Sequence, residues 1–152
     1  MYKLDLKTHF VGQSLIELST CPSTNTFVGE LLNRGAMPNG QVVIANAQTK
    51  GRGQRESKWE CEPLKNLTFS IGLFNLDFPV ANAFQLHCIT SLAIVDTINR
   101  HTASTAQIKW PNDIYINNKK VGGILIENTI AGDLVTQSII GIGLNINQED
   151  FS

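Results

Sequence analysis

Residues 120–147 read KVGGILIENTIAGDLVTQSIIGIGLNIN, and how this run is read decides the fold. Its two ends, KVGGILIEN (120–128) and VTQSIIGIGLNIN (135–147), are rich in β-branched residues and punctuated by glycine. Both read as strands. Upstream, AQIKW (106–110) and DIYIN (113–117) read as two shorter strands, and the polar turn NNKK (117–120) joins the second to the run that follows. Further back, QVVIA (41–45), NLTFSIGLF (66–74) and SLIEL (14–18) are again strand-like. Within NLTFSIGLF the alternation Leu67, Phe69, Ile71, Leu73 predicts one buried face.

Two helices interrupt the strands. CPSTNTFVGELLNRG (21–35) carries its own start and stop signals. Ser23, Thr24 or Asn25 can cap it, Phe27, Val28, Leu31 and Leu32 share a face, and Gly35 follows. Residues 82–101 predict the longest helix, with Phe84, Ile89, Leu92, Ala93 and Ile98 at helical spacings. Strands neighbouring by hairpins with two inserted helices predict an α+β fold, a mixed, mostly antiparallel sheet flanked by helices.

Composition narrows the function classes. The chain has 152 residues, enough for one domain with a real core. A formal net charge of −1 provides no global basic field for nucleic acid or membrane, so any cationic function is local. No apolar stretch approaches the length of a membrane-spanning helix, and MYKLDLKTHF (1–10) lacks the features of a signal peptide. The expected compartment is the cytoplasm. Cys21, Cys61 and Cys88 are odd in number and far apart, and His9, His87 and His101 lack metal-ligand spacing, so no disulfide framework and no metal site is expected.

The stretch QTKGRGQRESKWEC (48–61) sets two glycines, several cations and a tryptophan between two strands. Connections of that length are usually functional or disordered. Taken alone, it reads equally well as a solvated basic loop. The same holds for PSTN (22–25) as a helix cap, for Pro111, Asn112 and Asp113 as a turn, and for Gly122-Gly123 as a close approach in a sheet. Together they suit a groove that holds a small organic molecule beside a phosphate.

In order along the chain, STN (23–25), GRG followed by Trp59, KWPND (109–113), KVGGILIE (120–127) and GIGLNIN (141–147) resemble the catalytic domain of biotin–protein ligases. The resemblance covers residues 14 to 147 and implies a fold like that of class II aminoacyl-tRNA synthetases. It implies a two-step reaction: biotin and ATP with Mg2+ give biotinyl-5′-AMP, from which a lysine of a biotin carboxyl carrier protein then displaces AMP. A catalytic domain over residues 1–152 is expected, without the small C-terminal β-barrel of many relatives and without an N-terminal DNA-binding domain. Neither DNA nor membrane is an expected partner, and a sheet edge beside the site leaves room for a homodimer or for carrier docking.

The resemblance also implies roles. Lys120 stands where a lysine bridges the biotin carboxylate and the α-phosphate, and Asp113 would orient that lysine or help deprotonate the acceptor amine. Lys109 would position the WPND turn or touch the nucleotide. Gly51, Arg52 and Gly53 would cradle the adenylate, with Gln54 in the same loop, Arg55 as a further cation and Trp59 as an apolar wall. Ser23, Thr24, Asn25 and Gln48 would hydrogen-bond the ureido head of biotin, with Gly123, Leu125 and Gly141 along its path. Asn145 would read the adenine. Two features depart from many relatives: Gln54 replaces an arginine, and Glu56 adds a negative charge expected to weaken retention of the adenylate. The competing readings are a lipoate or octanoate ligase or transferase, and a truncated, non-catalytic biotin-binding module.

Overall fold

A computed structural model describes residues 7–55 and 57–149. Seven strands form one sheet: β1 (Leu15–Leu18), β2 (Val42–Ala45), β3 (Asn66–Pro79), β4 (Ala106–Lys109), β5 (Asp113–Ile116), β6 (Lys119–Ala131) and β7 (Leu134–Asn145). Their spatial order is β1-β2-β3-β7-β6-β5-β4. Only β1 and β2 run parallel; every other neighbouring pair is antiparallel. The expected mixed, mostly antiparallel sheet is what forms.

Helices α1 (Thr24–Asn33) and α2 (Phe84–His101) cover opposite faces. Alternation along β7 makes this necessary, because Ile140 and Ile142 point into a core shared with Ile94, Val95 and Ile98 of α2, while Ile139 packs with Val28 and Met37 on the α1 side. The strand β3 therefore has no free face. Phe69, Ile71 and Leu73 are half-buried against the α2 core, and the most buried side chains of the strand are the polar Thr68 and Ser70 on the other face. The buried face expected for Leu67, Phe69, Ile71 and Leu73 forms, and the opposite face of the strand is covered as well.

Helix α2 docks by part of its apolar surface. Phe84, Ile89 and Leu92 are exposed, and the helix instead buries Ser91 and Ile94, with Val95 and Ile98 alongside. Two apolar stripes share the helix, and the one carrying Ile94 and Ile98 meets the sheet. The helix begins at Phe84, after a 3-10 turn over Val80–Asn82.

Local signals place the connections. Asn117 and Asn118 both take the left-handed conformation (φ 49° and 63°), which gives the two-residue turn between β5 and β6 the twist a hairpin needs. At the end of α1, Gly35 has φ +61°, and the N–H groups of Gly35 and Ala36 reach back to the carbonyls of Leu32 and Leu31 at 3.0 and 2.9 Å. That pairing satisfies carbonyls the helix would leave open. No atom lies within 4 Å of a side chain placed at Gly35. Gly35→Ala is therefore expected to cost about 1 kcal/mol from backbone strain alone, read as a lower urea midpoint with an unchanged slope.

Candidate functional site

The α1 face of the sheet narrows to glycine where β6 and β7 meet, with Gly123 opposite Gly143 and Leu125 opposite Gly141. Thr68 and Ser70 of β3 flank them, opposite Gly143 and Gly141. A groove of about 400 Å3 opens over this floor. Its walls are the start of α1, the loop after β2, the turn before β5 and the first residues of β6. It brings together Ser23, Thr24, Asn25, Gln48, Arg52, Gly53, Gln54, Arg55, Trp59, Asp113, Lys120, Gly123, Leu125 and Gly141, all of them expected from the sequence. An adjoining, wider cavity of about 1150 Å3 shares Gln48, Arg52 and Trp59 and is also lined by Gly51.

One end of the groove is a buried polar network. Ser70 is fully buried, and Thr24 and Asn25 are each 3% exposed. The hydroxyl of Ser70 lies 2.6 Å from Asn25 Oδ1 and 2.7 Å from Thr24 Oγ1. Its single proton goes to the amide oxygen, which can only accept, so Thr24 supplies the proton for the second contact. Gln48 Oε1 accepts the Thr24 backbone N–H at 2.7 Å, and its longer 3.1 Å contact to Thr24 Oγ1 competes for the proton that Ser70 takes. Ser23 occupies the N-cap position of α1 without a side-chain cap bond. Thr24 and Asn25 likewise do not cap: they lie within the helix and are drawn into the sheet's network instead. Asn25 Nδ2 donates to Glu127 Oε2 at 2.7 Å and to the Leu125 carbonyl at 3.3 Å.

The other end is charged. Lys120 Nζ lies 2.7 Å from Asp113 Oδ1 and 6.0 Å from the centre of the Trp59 ring. A bulge puts the lysine there. Asp113 pairs with Gly123 and Ile114 with Gly122, yet Tyr115 pairs with Lys120, so Val121 is the extra residue. Val121 packs on the α2 core, and the side chain after the turn that would otherwise face the core reaches the groove. Strict alternation back from Gly123 would have sent Lys120 to the opposite face.

The glycines serve the protein's own side chains. A Cβ on Gly141 would collide with the Asn25 amide, and one on Gly143 with the Trp59 indole. A Cβ on Gly123 would lie 3.1 Å from Trp59 Cζ3. In the loop, Gly51 packs under the Trp59 carbonyl, the Trp59 N–H donates to the Gly51 carbonyl at 3.1 Å, and the Gly53 N–H donates to the Ser57 carbonyl at 2.8 Å. Arg52 bridges Lys58, and Arg55 turns the chain at φ 57°, so the loop is a short hairpin finger. The backbone freedom ascribed to ligand contact is used first to build this finger. Glu56 lies outside the described residues.

Two expected site residues do not line either cavity. Lys109 shares the sheet face of Asp113, its cross-strand partner, but sits one strand further out and donates to Tyr115 Oη at 3.3 Å. Asn145 opposes Asn66 beyond Gly143, and its Oδ1 is buried with no partner among the described residues. Conversely, the sequence reading passed over Thr68, Ser70, Asn112 and Glu127. Thr68, Ser70 and Gly72 alternate with Phe69 and Ile71 in the sequence, which is a legible sign of a strand whose second face carries small polar groups. Asn112 ties its turn to β6, donating to the Ile124 carbonyl and accepting the Ile124 N–H, both at 3.0 Å. Burial pushes the Cys21 thiol up, so beside this network it behaves as an inert apolar group.

Comparison with known proteins fits this geometry. A bifunctional ligase/repressor BirA of Bacillus subtilis is 38% identical over 147 residues, covering 97% of this chain and 45% of that protein. A biotin–[acetyl-CoA-carboxylase] ligase of Mycobacterium tuberculosis is 32% identical, covering 90% and 52%. The structure of a biotin protein ligase from Aquifex aeolicus in complex with biotin and ATP superimposes with a TM-score of 0.74 at 34% identity, covering 92% of this chain and 55% of that one. The chain thus spans about half the length of these relatives. The model of the biotin/lipoate A/B protein ligase family matches residues 18–145, from the end of β1 to the end of β7, and it is to this family that the chain belongs.

Proposed function

We propose that the groove activates biotin as biotinyl-5′-AMP and passes the biotinyl group to a lysine of a biotin carboxyl carrier protein, with residues 1–152 as the catalytic domain. One observation carries the reading: a buried hydrogen-bonding network and a fixed ammonium group occupy opposite ends of a single groove. A urea-like head with donors and acceptors suits the first end, and a carboxylate suits the second. The relative from Aquifex aeolicus, described in complex with biotin and ATP, supports the same assignment.

The chemistry follows from charge. A biotin carboxylate oxygen attacks the α-phosphorus of ATP, the bond to the bridging oxygen of the β-phosphate breaks, and pyrophosphate leaves. Both partners are anions, so a cation held between them is the main requirement. Lys120, kept in place by Asp113, provides it, and two unit charges about 4 Å apart interact by roughly 4 kcal/mol at an effective dielectric near 20. In the second step a lysine amine attacks the acyl carbon, the bond to the phosphate oxygen breaks, AMP leaves, and Asp113 is placed to take the amine proton. Arg52 and Arg55 add positive charge from the finger.

Among the described residues no three His, Cys, Asp or Glu side chains gather as a metal site. The carboxylates nearest the groove, Asp113 and Glu127, are each engaged by a cation. The donor set therefore fits a magnesium ion carried on the nucleotide phosphates with its own water, which would neutralise phosphate charge. No helix of the described residues is long and apolar enough to cross a membrane, and the three cysteines are free thiols. We place the protein in a reducing, cytoplasmic compartment on that basis.

The deciding measurement is ATP–pyrophosphate exchange with the unmodified chain. Exchange that requires biotin and is not supported by lipoate or octanoate is the expected result. Exchange driven by lipoate instead would assign the groove to the other branch of the family. Absence of exchange together with absence of biotin binding by calorimetry would overturn the reading.

A further inference from the structure

We propose that Glu127 is a positioning residue that fixes the Arg52 guanidinium and the Asn25 amide together through one carboxylate oxygen. Glu127 Oε2 accepts from Arg52 Nη2 at 3.0 Å and from Asn25 Nδ2 at 2.7 Å. The three residues come from β6, the finger and the first turn of α1, which are far apart in sequence and share no other side-chain junction of this kind among the described residues. Glu127 lies on the groove face of β6, two residues beyond Leu125.

The contacts define two tasks. The first is to orient Asn25. An amide can sit either way round, and here the carboxylate demands the NH2 end, which leaves Oδ1 for the Ser70 hydroxyl at 2.6 Å. Reversing the amide would set oxygen against carboxylate and nitrogen against the position that Ser70 serves. The second task is to hold the finger. Arg52 lines both cavities, and tying one guanidinium nitrogen to β6 holds the cation at the groove while other N–H groups remain for an anion.

A merely structural role fits less well. The side chains of the pair are 47% and 37% exposed, and exposed ion pairs contribute little to global stability. A carboxylate placed there acts on what it holds. An anionic ligand reaching Arg52 would also compete with Glu127, whose charge offsets part of the guanidinium's in the pair.

The proposal deepens the ligase reading for its binding arm alone, and its loop arm is independent of that reading. The test uses the full chain without ligand. Cleavage within residues 50–58 by a protease of broad specificity is expected to accelerate about tenfold in Glu127→Ala, Glu127→Gln and Arg52→Ala, with cleavage elsewhere unchanged and the melting temperature held in Glu127→Gln and Arg52→Ala. In the unmodified protein, raising salt toward 1 M, where the screening length is about 3 Å, is expected to speed cleavage relative to Glu127→Ala. The binding arm separates the two tasks. Glu127→Ala is expected to weaken biotin binding about tenfold, and Glu127→Gln, which keeps an oxygen for Asn25, is expected to restore it to within about twofold. Unchanged cleavage in Glu127→Ala, or acceleration spread along the chain with a lowered melting temperature, would overturn the proposal. If the unmodified chain binds no biotin, the ligase reading falls and the cleavage and salt results still decide the role of Glu127.

Discussion

Lys120→Ala is expected to lower biotin-dependent pyrophosphate exchange by about 10² or more, while Lys119→Ala stays within a few tenths of a kcal/mol of the unmodified protein. The two lysines are neighbours in sequence and both are exposed at the start of β6, so composition alone does not distinguish them. Their surroundings differ. Lys120 lines the groove and is held at 2.7 Å by Asp113, whereas Lys119 faces the other way, opposite Ile116. Loss of a donor preorganised for a developing charge typically costs about 10² to 10³ in rate, and loss of a solvated lysine costs almost nothing. Asp113→Asn provides a third point: the lysine remains but is no longer held by charge, so a smaller loss is expected than in Lys120→Ala. Equal, small effects of the two alanine variants would remove Lys120 from the mechanism.

The second large effect is expected from Gly143→Ala. A methyl group at this position cannot coexist with the indole of Trp59, which lies across it, so the ring must lift from the floor. A displaced wall forfeits apolar contact with any ligand packed against it. Half of the roughly 200 Å2 that a tryptophan buries, at about 25 cal/mol per Å2, is about 2.5 kcal/mol, close to a 10²-fold loss of biotin affinity. Gly123→Ala is the graded control, because its Cβ would sit 3.1 Å from the ring edge and a shift of a few tenths of an ångström relieves it. Trp110 is 77% exposed, so a Trp110→Phe background isolates the emission of Trp59, which should move to longer wavelength in Gly143→Ala. Unchanged emission with undiminished biotin affinity would show that the ring does not depend on this glycine.

This changes the reason for a glycine floor. The sequence suggested that Gly123 and Gly141 leave space for a ligand, and the structure fills that space with Trp59 and Asn25. Residues distant in sequence had to be brought together before this could be seen, since nothing in VGG or GIG indicates which side chain will lie above them. Lys120 is similar. Its place in the groove depends on the extra residue at Val121, and alternation counted along KVGG gives the wrong face. What was legible had a local cause: the strands from their β-branched runs, the asparagine turn, the glycine stop after α1. The buried face of α2 was not legible, because two apolar stripes share the helix and only the docking of the sheet selects between them. Glu127 ends the KVGGILIE motif with no local sign of its task, because its partners lie 75 and 102 residues away.

The parallel pairing of β1 and β2 continues beyond the strands. The Cys21 N–H bonds to the Ala47 carbonyl, Thr49 N–H to Cys21 and Lys50 N–H to Pro22, at 3.1, 3.0 and 2.8 Å. The finger is therefore anchored to the base of α1 up to Lys50, and from Gly51 it is closed on itself by the bond from the Trp59 N–H. The two strands of the finger are thus joined at the root, where Arg52 is also tied to β6 through Glu127. A root fixed at these points keeps Arg52 beside β6 and leaves Gln54 and Arg55 as the part of the finger farthest from its ties.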